Sequence, residues 1–199
     1  SEDHGITKTI PGSNWVSYIA FADMNVSLAA PDPYISLFGR YIASTNYYEL
    51  RLQKRYNSIS ELEIQLRRQN GSGEAKSTVL VTSNFTGNIL GTHKMWLMVA
   101  TNNNGAVYLR AGVTNRCIIE YHDSTASKIQ RQGPFAMLSR SANISADNIL
   151  VRKISDIQTF YNWSETKHGN YTNRNWIVRN GKPRAGIDLY LYYTNSQHG

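Results

Sequence analysis

Apolar residues recur at every second position along most of this chain, in short runs set apart by turn residues. Leu62, Ile64 and Leu66 alternate with Glu61, Glu63 and Gln65, and Cys117, Ile119 and Tyr121 repeat the pattern. A period of two is the pleat of a β-strand with one buried face. No segment carries a sustained helical stripe. The pattern predicts strands near Trp15 to Met24, Tyr34 to Tyr41, Tyr47 to Lys54, Glu61 to Arg67, Thr78 to Thr82, Met95 to Ala100, Val107 to Ala111, Cys117 to Tyr121, Phe135 to Ser139 and Asn148 to Ile154. Pro31-Asp32-Pro33, Asn70-Gly71-Ser72-Gly73 and Asn102-Asn103-Asn104-Gly105 supply turn chemistry between them. Two further strands are expected, at Trp176 to Arg179 and Ile187 to Tyr193.

Composition limits what such strands can build. A chain of 199 residues buries roughly 70% of its unfolded surface as one domain, so neither metal nor disulfide is needed to hold it. Charged residues make up 18% of the chain, and the net charge of +7 is scattered, so no nucleic-acid partner is expected. No apolar run of about 18 residues occurs, so no membrane span is expected. The start at Ser1 without Met, together with six Asn-x-Ser/Thr sequons at Asn25, Asn70, Asn84, Asn143, Asn162 and Asn170, points to an extracellular glycoprotein from which a signal peptide has been removed. Cys117, the lone cysteine, reads as a small buried hydrophobe. The organisation expected is a polar leader at 1–14, a β-sandwich at 15–154, and an Asn-, Tyr- and Trp-rich extension at 155–199 packing on the sandwich or on a neighbour.

Several stretches resemble a known family. Trp15-Val-Ser-Tyr18, Ile35-Ser-Leu-Phe-Gly-Arg40, Tyr47-Tyr48-Glu49-Leu50, Gly133-Pro-Phe-Ala-Met-Leu138 and Ala146-Asp147-Asn148-Ile149-Leu150-Val151 are similar to the concanavalin-like, or laminin-G-like, jelly roll of carbohydrate-binding modules and polysaccharide-degrading enzymes. The resemblance implies an all-β jelly-roll sandwich of two antiparallel sheets, here with additional terminal strands. It does not by itself imply a function.

Catalysis is the least supported of three readings. Glu61-Leu-Glu63-Ile-Gln65 resembles the acidic strand of laminarinase-like glycosidases, whose alternate carboxylates share a face. Gln65 stands where an acid is required, and glutamine cannot ionise. No lyase constellation is found either, and His4, His93, His122, His168 and His198 are too far apart for metal-ligand spacing and read as surface residues. A secreted sugar-binding module is the second reading: Tyr41, Tyr47, Tyr48, Trp163, Tyr171 and Trp176 are stacking candidates, with Arg40 as a polar neighbour. Related jelly rolls often hold calcium, which implies Asp147 and then Asp23 as ligands, unless these carboxylates cap backbone amides. Assembly is the preferred reading. Ile6-Thr-Lys-Thr-Ile10 is a short strand with no evident partner in the sandwich, and Ile6 and Ile10 can anchor it on a neighbouring copy. Ile187, Leu189 and Leu191 offer a second such strand. Strand addition without closure builds filaments, and the whole architecture resembles archaeal cannula subunits, whose tubes join jelly rolls through donor strands and calcium. The expectation is therefore a non-enzymatic extracellular subunit that partners itself and, as the alternative, glycans.

Overall fold

The computed structural model describes residues 3–6, 15–56, 58, 60–101, 104–154, 176–179 and 182–185. Eleven strands are described: β1 (Asp3–Ile6), β2 (Tyr18–Ala43), β3 (Asn46–Lys54), β4 (Glu61–Asn70), β5 (Ser77–Thr86), β6 (Gly91–Thr101), β7 (Val107–Val113), β8 (Cys117–Asp123), β9 (Ala136–Lys153), β10 (Trp176–Arg179) and β11 (Lys182–Ala185). The only helical piece among the described residues is a 3₁₀ turn at Glu74–Lys76. Every pairing is antiparallel.

Two long strands make one ladder into two layers. The first part of β2 pairs with β6, from Tyr18↔Val99 to Val26↔Gly91, and its second part pairs with β3, from Tyr34↔Gln53. β9 follows β2 through both parts. One layer therefore runs β5-β4-β3-β2-β9-β1 and the other β8-β7-β6-β2-β9, and β4 and β5 pack over β7 and β8. The β2–β9 register slips between Phe21 and Asp23, Val26 and Leu28, and Ala29 and Tyr34. Asp32, Ser141 and Asn148 take positive φ of 56°, 53° and 49° around these slips, as bulges that bend a strand require. Pro31-Asp32-Pro33, expected to end a strand, instead sits in a bulge that β2 runs through. For the same reason Phe135 to Ser139 and Asn148 to Ile154 merge into β9.

The inner rows follow the alternation. Ile35, Leu37, Leu50, Leu52, Leu62, Ile64 and Leu66 from one layer meet Ala20, Met24, Leu97, Val99, Leu109 and Ala111 from the other. Cys117 packs partly buried against the same core. The alternation reading fails along the β2–β6 pair. Ile19, Phe21, Trp96, Met98 and Ala100 point away from the core and are nonetheless buried. The continuous runs Tyr18-Ile-Ala-Phe-Ala22 and Met95-Trp-Leu-Met-Val-Ala100 are the mark of strands covered on both faces.

The termini alter one expectation. β1 has a partner in its own chain, pairing Asp3↔Arg140, His4↔Ser139, Gly5↔Leu138 and Ile6↔Met137. An otherwise open edge of β9 is satisfied by that pairing. Trp176 begins β10, opposite Ala185 of β11. Ile10, Trp163, Tyr171, Ile187, Leu189, Leu191, Asn162 and Asn170 lie outside the described residues.

Candidate functional site

The outward face of the β9-β2-β3-β4-β5 layer brings together a group of polar and aromatic side chains. Residues paired across antiparallel strands share a face. Tyr34, Ser36 and Phe38 on β2 are flanked by Arg140, Leu138 and Ala136 on β9 and by Gln53, Arg51 and Glu49 on β3. Those in turn face Glu63, Gln65 and Arg67 on β4.

An aromatic platform occupies one end of this face. Phe38 and Tyr47 have ring centroids 4.6 Å apart, and Tyr41 lies 5.6 Å from each. Strict alternation would turn Tyr41 inward and Arg40 outward. A bulge reverses both. The β2–β3 register shifts between Gly39 and Ala43, and Arg40 takes φ of 52°. The Arg40 side chain enters the interior, where its guanidinium donates to the carbonyls of Ile129 and Val16 and to Thr101 Oγ1. Its backbone N–H donates to Tyr18 Oη at 2.6 Å. Burial lowers the guanidinium pKa. Two glycines make room: a Cβ on Gly133 would lie 2.6 Å from the Arg40 carbonyl carbon, and one on Gly39 would lie 2.5 Å from Val99 Cγ2. Arg40, expected as a surface neighbour of the stacking residues, is thus an internal pin, and its backbone delivers Tyr41 to the platform. Burial, and then the Glu49 carboxylate, push the Tyr47 phenol up to about 12, so its hydroxyl remains a neutral donor at ordinary pH.

Beside the platform lies a hydrogen-bonded network. Glu49, 1% exposed, accepts from Ser36 Oγ at 2.6 Å and from Arg51 Nε and Nη2 at 2.9 and 3.2 Å. Arg67 Nε lies 3.8 Å from its second oxygen. A buried carboxylate needs such partners to offset the loss of water. Arg51 also stands 4.0 Å over the Tyr34 ring, with Arg140 at 6.0 Å. Glu63 Oε1 accepts from Gln53 Nε2 at 2.8 Å and Gln65 Nε2 at 2.6 Å, while Gln65 Oε1 accepts from Arg67 Nη1 at 2.9 Å. Glu61 pairs with Arg55. The two acids of the glycosidase-like strand are therefore held separately by amides and by a guanidinium, in the outward positions that alternation assigned them.

Tyr48 departs from its expected role. Fully buried, it donates to Asp123 Oδ2 at 2.8 Å and accepts from the Ile129 N–H at 2.9 Å. Alternation explains the difference, because Tyr48 follows Tyr47 and so faces the core. Arg68 Nη1 reaches both Asp123 oxygens, at 2.9 and 2.7 Å, and Thr125 Oγ1 donates to Oδ1 at 2.6 Å. Burial works to raise the Asp123 pKa, but the hydrogen bonds from Thr125, Arg68 and Tyr48 outweigh it and hold the carboxyl below its ordinary value. The cluster ties down the loop that follows β8. His93, expected on the surface, is also buried; its Nε2 lies 2.8 Å from the Ile89 carbonyl, and burial lowers its pKa.

Asp23 and Asp147 are direct cross-strand partners. Asn148 Nδ2 donates to Asp23 Oδ2 at 2.8 Å, Asp147 Oδ1 accepts from the Asn148 N–H at 2.7 Å, and Lys94 Nζ is 4.0 Å from Asp23. Calcium takes six to eight oxygens. The set here is two carboxylates that already accept from neutral amides, one of them also 4.0 Å from an ammonium, and no group of three acidic, His or Cys side chains that could hold a metal occurs among the described residues. These residues do not fit calcium, and Asp147 caps a backbone amide. Asn25, Asn70, Asn84 and Asn143 are all exposed. At the end of the sandwich formed by residues 29–33, 54–56 and 87–90, a cleft of about 580 Å³ is lined by Pro31, Lys54, Tyr56 and Leu90.

No family model and no curated protein matches this sequence. Several solved structures are similar in fold. Sheep galectin-11 in complex with glycerol is 12% identical over 75% of this chain and 96% of its own, with a TM-score of 0.42. CG-16, a homodimeric agglutinin from chicken liver, is 8% identical over 74% and 99%, with a TM-score of 0.46. Scytalido-glutamic peptidase with a peptide-based transition state analogue is 11% identical over 78% and 82%, with a TM-score of 0.46. The fold is an antiparallel β-sandwich whose two layers share β2 and β9. A fold alone does not give a function, so function has to be argued from the site.

Proposed function

We propose that this chain is a non-enzymatic glycan-binding module whose site is the outward face of the β9-β2-β3-β4-β5 layer. The observation that carries the reading is the Phe38-Tyr41-Tyr47 platform, built by a backbone bulge at Arg40 and placed beside the locked Ser36-Glu49-Arg51 network. Aromatic faces cover the apolar side of a sugar ring, and fixed amides and guanidiniums supply orientation. Sites held on strands by a hydrogen-bonded surround lose little entropy on binding. The four exposed sequon asparagines support an extracellular setting. Screening the purified chain against immobilised neutral and acidic oligosaccharides tests the proposal. Binding should appear for at least one class and fall about tenfold or more in Tyr41→Ala and Tyr47→Ala, as expected for aromatic anchors. Undiminished binding in both variants places the site elsewhere.

A second reading, a subunit that assembles into filaments or tubules, is supported by β1. It contacts β9 through a four-residue ladder at the edge of its layer, and the β1 of a neighbouring copy can fill the same register. Light scattering on the full chain tests it, since a monodisperse monomer at high concentration contradicts assembly.

A further inference from the structure

One N-glycosylation sequon lies on the very face proposed to bind glycans. Asn84-Phe85-Thr86 sits on β5, the edge strand of its layer. Asn84 pairs with Glu63, Glu63 with Gln53, and Gln53 with Tyr34, so one register row crosses β5, β4, β3 and β2. Residues paired in this way share a face. Exposure agrees with the register: Thr82, Asn84 and Thr86 are exposed, whereas Phe85 packs against the core.

The other described sequon asparagines lie elsewhere. Asn25 stands between Met24 and Val26 of the core, so it faces out from the other layer, opposite Thr92 and Ser145. Asn70 ends β4 opposite Asn46, out of phase with Gln69, the partner of Tyr47. Asn143 pairs with Leu28, where the β2–β9 register slips. Distance also favours Asn84. β3, which carries Arg51, is two strand spacings from β5, and β2 is three, roughly 10 and 14 Å. Phe38, four residues beyond Tyr34 along β2, is roughly 20 Å from Asn84. An N-linked oligosaccharide is bulky, flexible and several rings long, and one attached at this rim can lie back across that span.

We infer that the oligosaccharide carried by Asn84 occupies the site in cis and closes it to other glycans. The inference rests on the glycan-binding reading and names the regulation of that site. Aromatic faces cover the apolar side of a sugar ring whether the sugar is free or tethered. A tethered ligand acts at an effective concentration on the order of 1 mM, so a site with a dissociation constant of about 0.1 mM is weakened about tenfold toward free ligand. Glycosylation at Asn84 therefore shuts the site, and a chain without it is open.

The test uses the full chain from a host that attaches N-glycans, with peptide mass spectrometry to read occupancy at Asn84. T86A removes the sequon and keeps Asn84, while N25Q removes a sequon on the other layer. Isothermal calorimetry uses the oligosaccharide that the unglycosylated chain binds most tightly. T86A should bind it about tenfold tighter than the glycosylated parent, and N25Q should match the parent. Parent and T86A made in a host without N-glycosylation should bind equally, which separates loss of the glycan from loss of the threonine. Melting temperatures establish that each protein is folded. An unoccupied Asn84, or an occupied parent that binds as tightly as T86A, overturns the inference and leaves the platform reading standing. So does a gain from T86A that persists without any glycan, or an equal gain from N25Q, which would make general glycan bulk the cause. Binding of no oligosaccharide by either the glycosylated or the unglycosylated chain overturns the glycan-binding reading itself, and this inference with it.

Discussion

Tyr48→Phe removes one oxygen from the interior and leaves the ring in place. That oxygen donates to the buried Asp123 carboxylate at 2.8 Å and accepts the Ile129 N–H at 2.9 Å. Losing a hydrogen bond to a charged group costs about 1.5–3 kcal/mol, and leaving the Ile129 amide unpaired adds about 1 kcal/mol. The change should therefore destabilise the chain by about 2–4 kcal/mol, since Arg68 and Thr125 still hold Asp123 and keep its charge from being orphaned. For a domain of this size the melting temperature should fall by about 4–16 °C. Urea unfolding gives the free energy, and hydrogen exchange gives the location, because the Ile129 amide should lose protection well before the β2–β6 ladder does. A loss under about 1 kcal/mol, or an Ile129 amide as protected as before, would refute the claim that Tyr48 closes the loop.

Four further outcomes follow from other contacts in the structure. Burial holds the folded-state pKa of His93 below its ordinary 6.5, so the unfolded chain binds that proton more readily; stability present above pH 6.5 should be lost as pH falls through the lowered folded value, and H93Q should flatten that part of a melting-temperature profile. The Asp123 contribution behaves in the same sense but lower, present above the ordinary carboxylate value of 3.8 and lost as pH falls through the depressed one. The two-carboxylate donor set at Asp23 and Asp147 predicts that a calcium chelator leaves the melting curve where it was; a fall that D147A abolishes would show calcium to be a ligand after all. Deleting residues 1–11 should leave a folded, soluble chain with a modestly lower melting temperature, because β1 adds only a four-residue edge ladder, and global unfolding of the truncated chain would contradict that peripheral role.

What was legible in the sequence was the set of one-sided strands. Glu61 to Leu66 announced both its buried and its exposed face, because every second residue has a partner of like kind across the ladder. Strand continuity was less legible. Pro31-Asp32-Pro33 looks like an end because proline and αL-tolerant aspartate do make turns, yet a bulge uses the same residues without breaking the strand. The platform was half visible. Tyr41 and Tyr47 stood out as aromatic, whereas Phe38 and the inward turn of Arg40 did not, since a single bulge exchanges the faces of all that follow it. One signal was available: Phe38-Gly-Arg-Tyr41 spaces two aromatics three apart around a glycine, which period two does not allow on one face. The Arg68-Asp123-Tyr48 cluster was invisible, because contacts between residues 55 and 75 positions apart depend on which strands face each other.

A titration followed by amide ¹H–¹⁵N NMR measures the location of the glycan site directly. With the tightest oligosaccharide from the screen, the amides that shift most should be those of Phe38, Tyr41, Tyr47, Arg51 and Gln65, on the strands that form the outward face of one layer. Shifts confined instead to residues 54–56 and 87–90, around the cleft at the other end of the sandwich, would contradict that location.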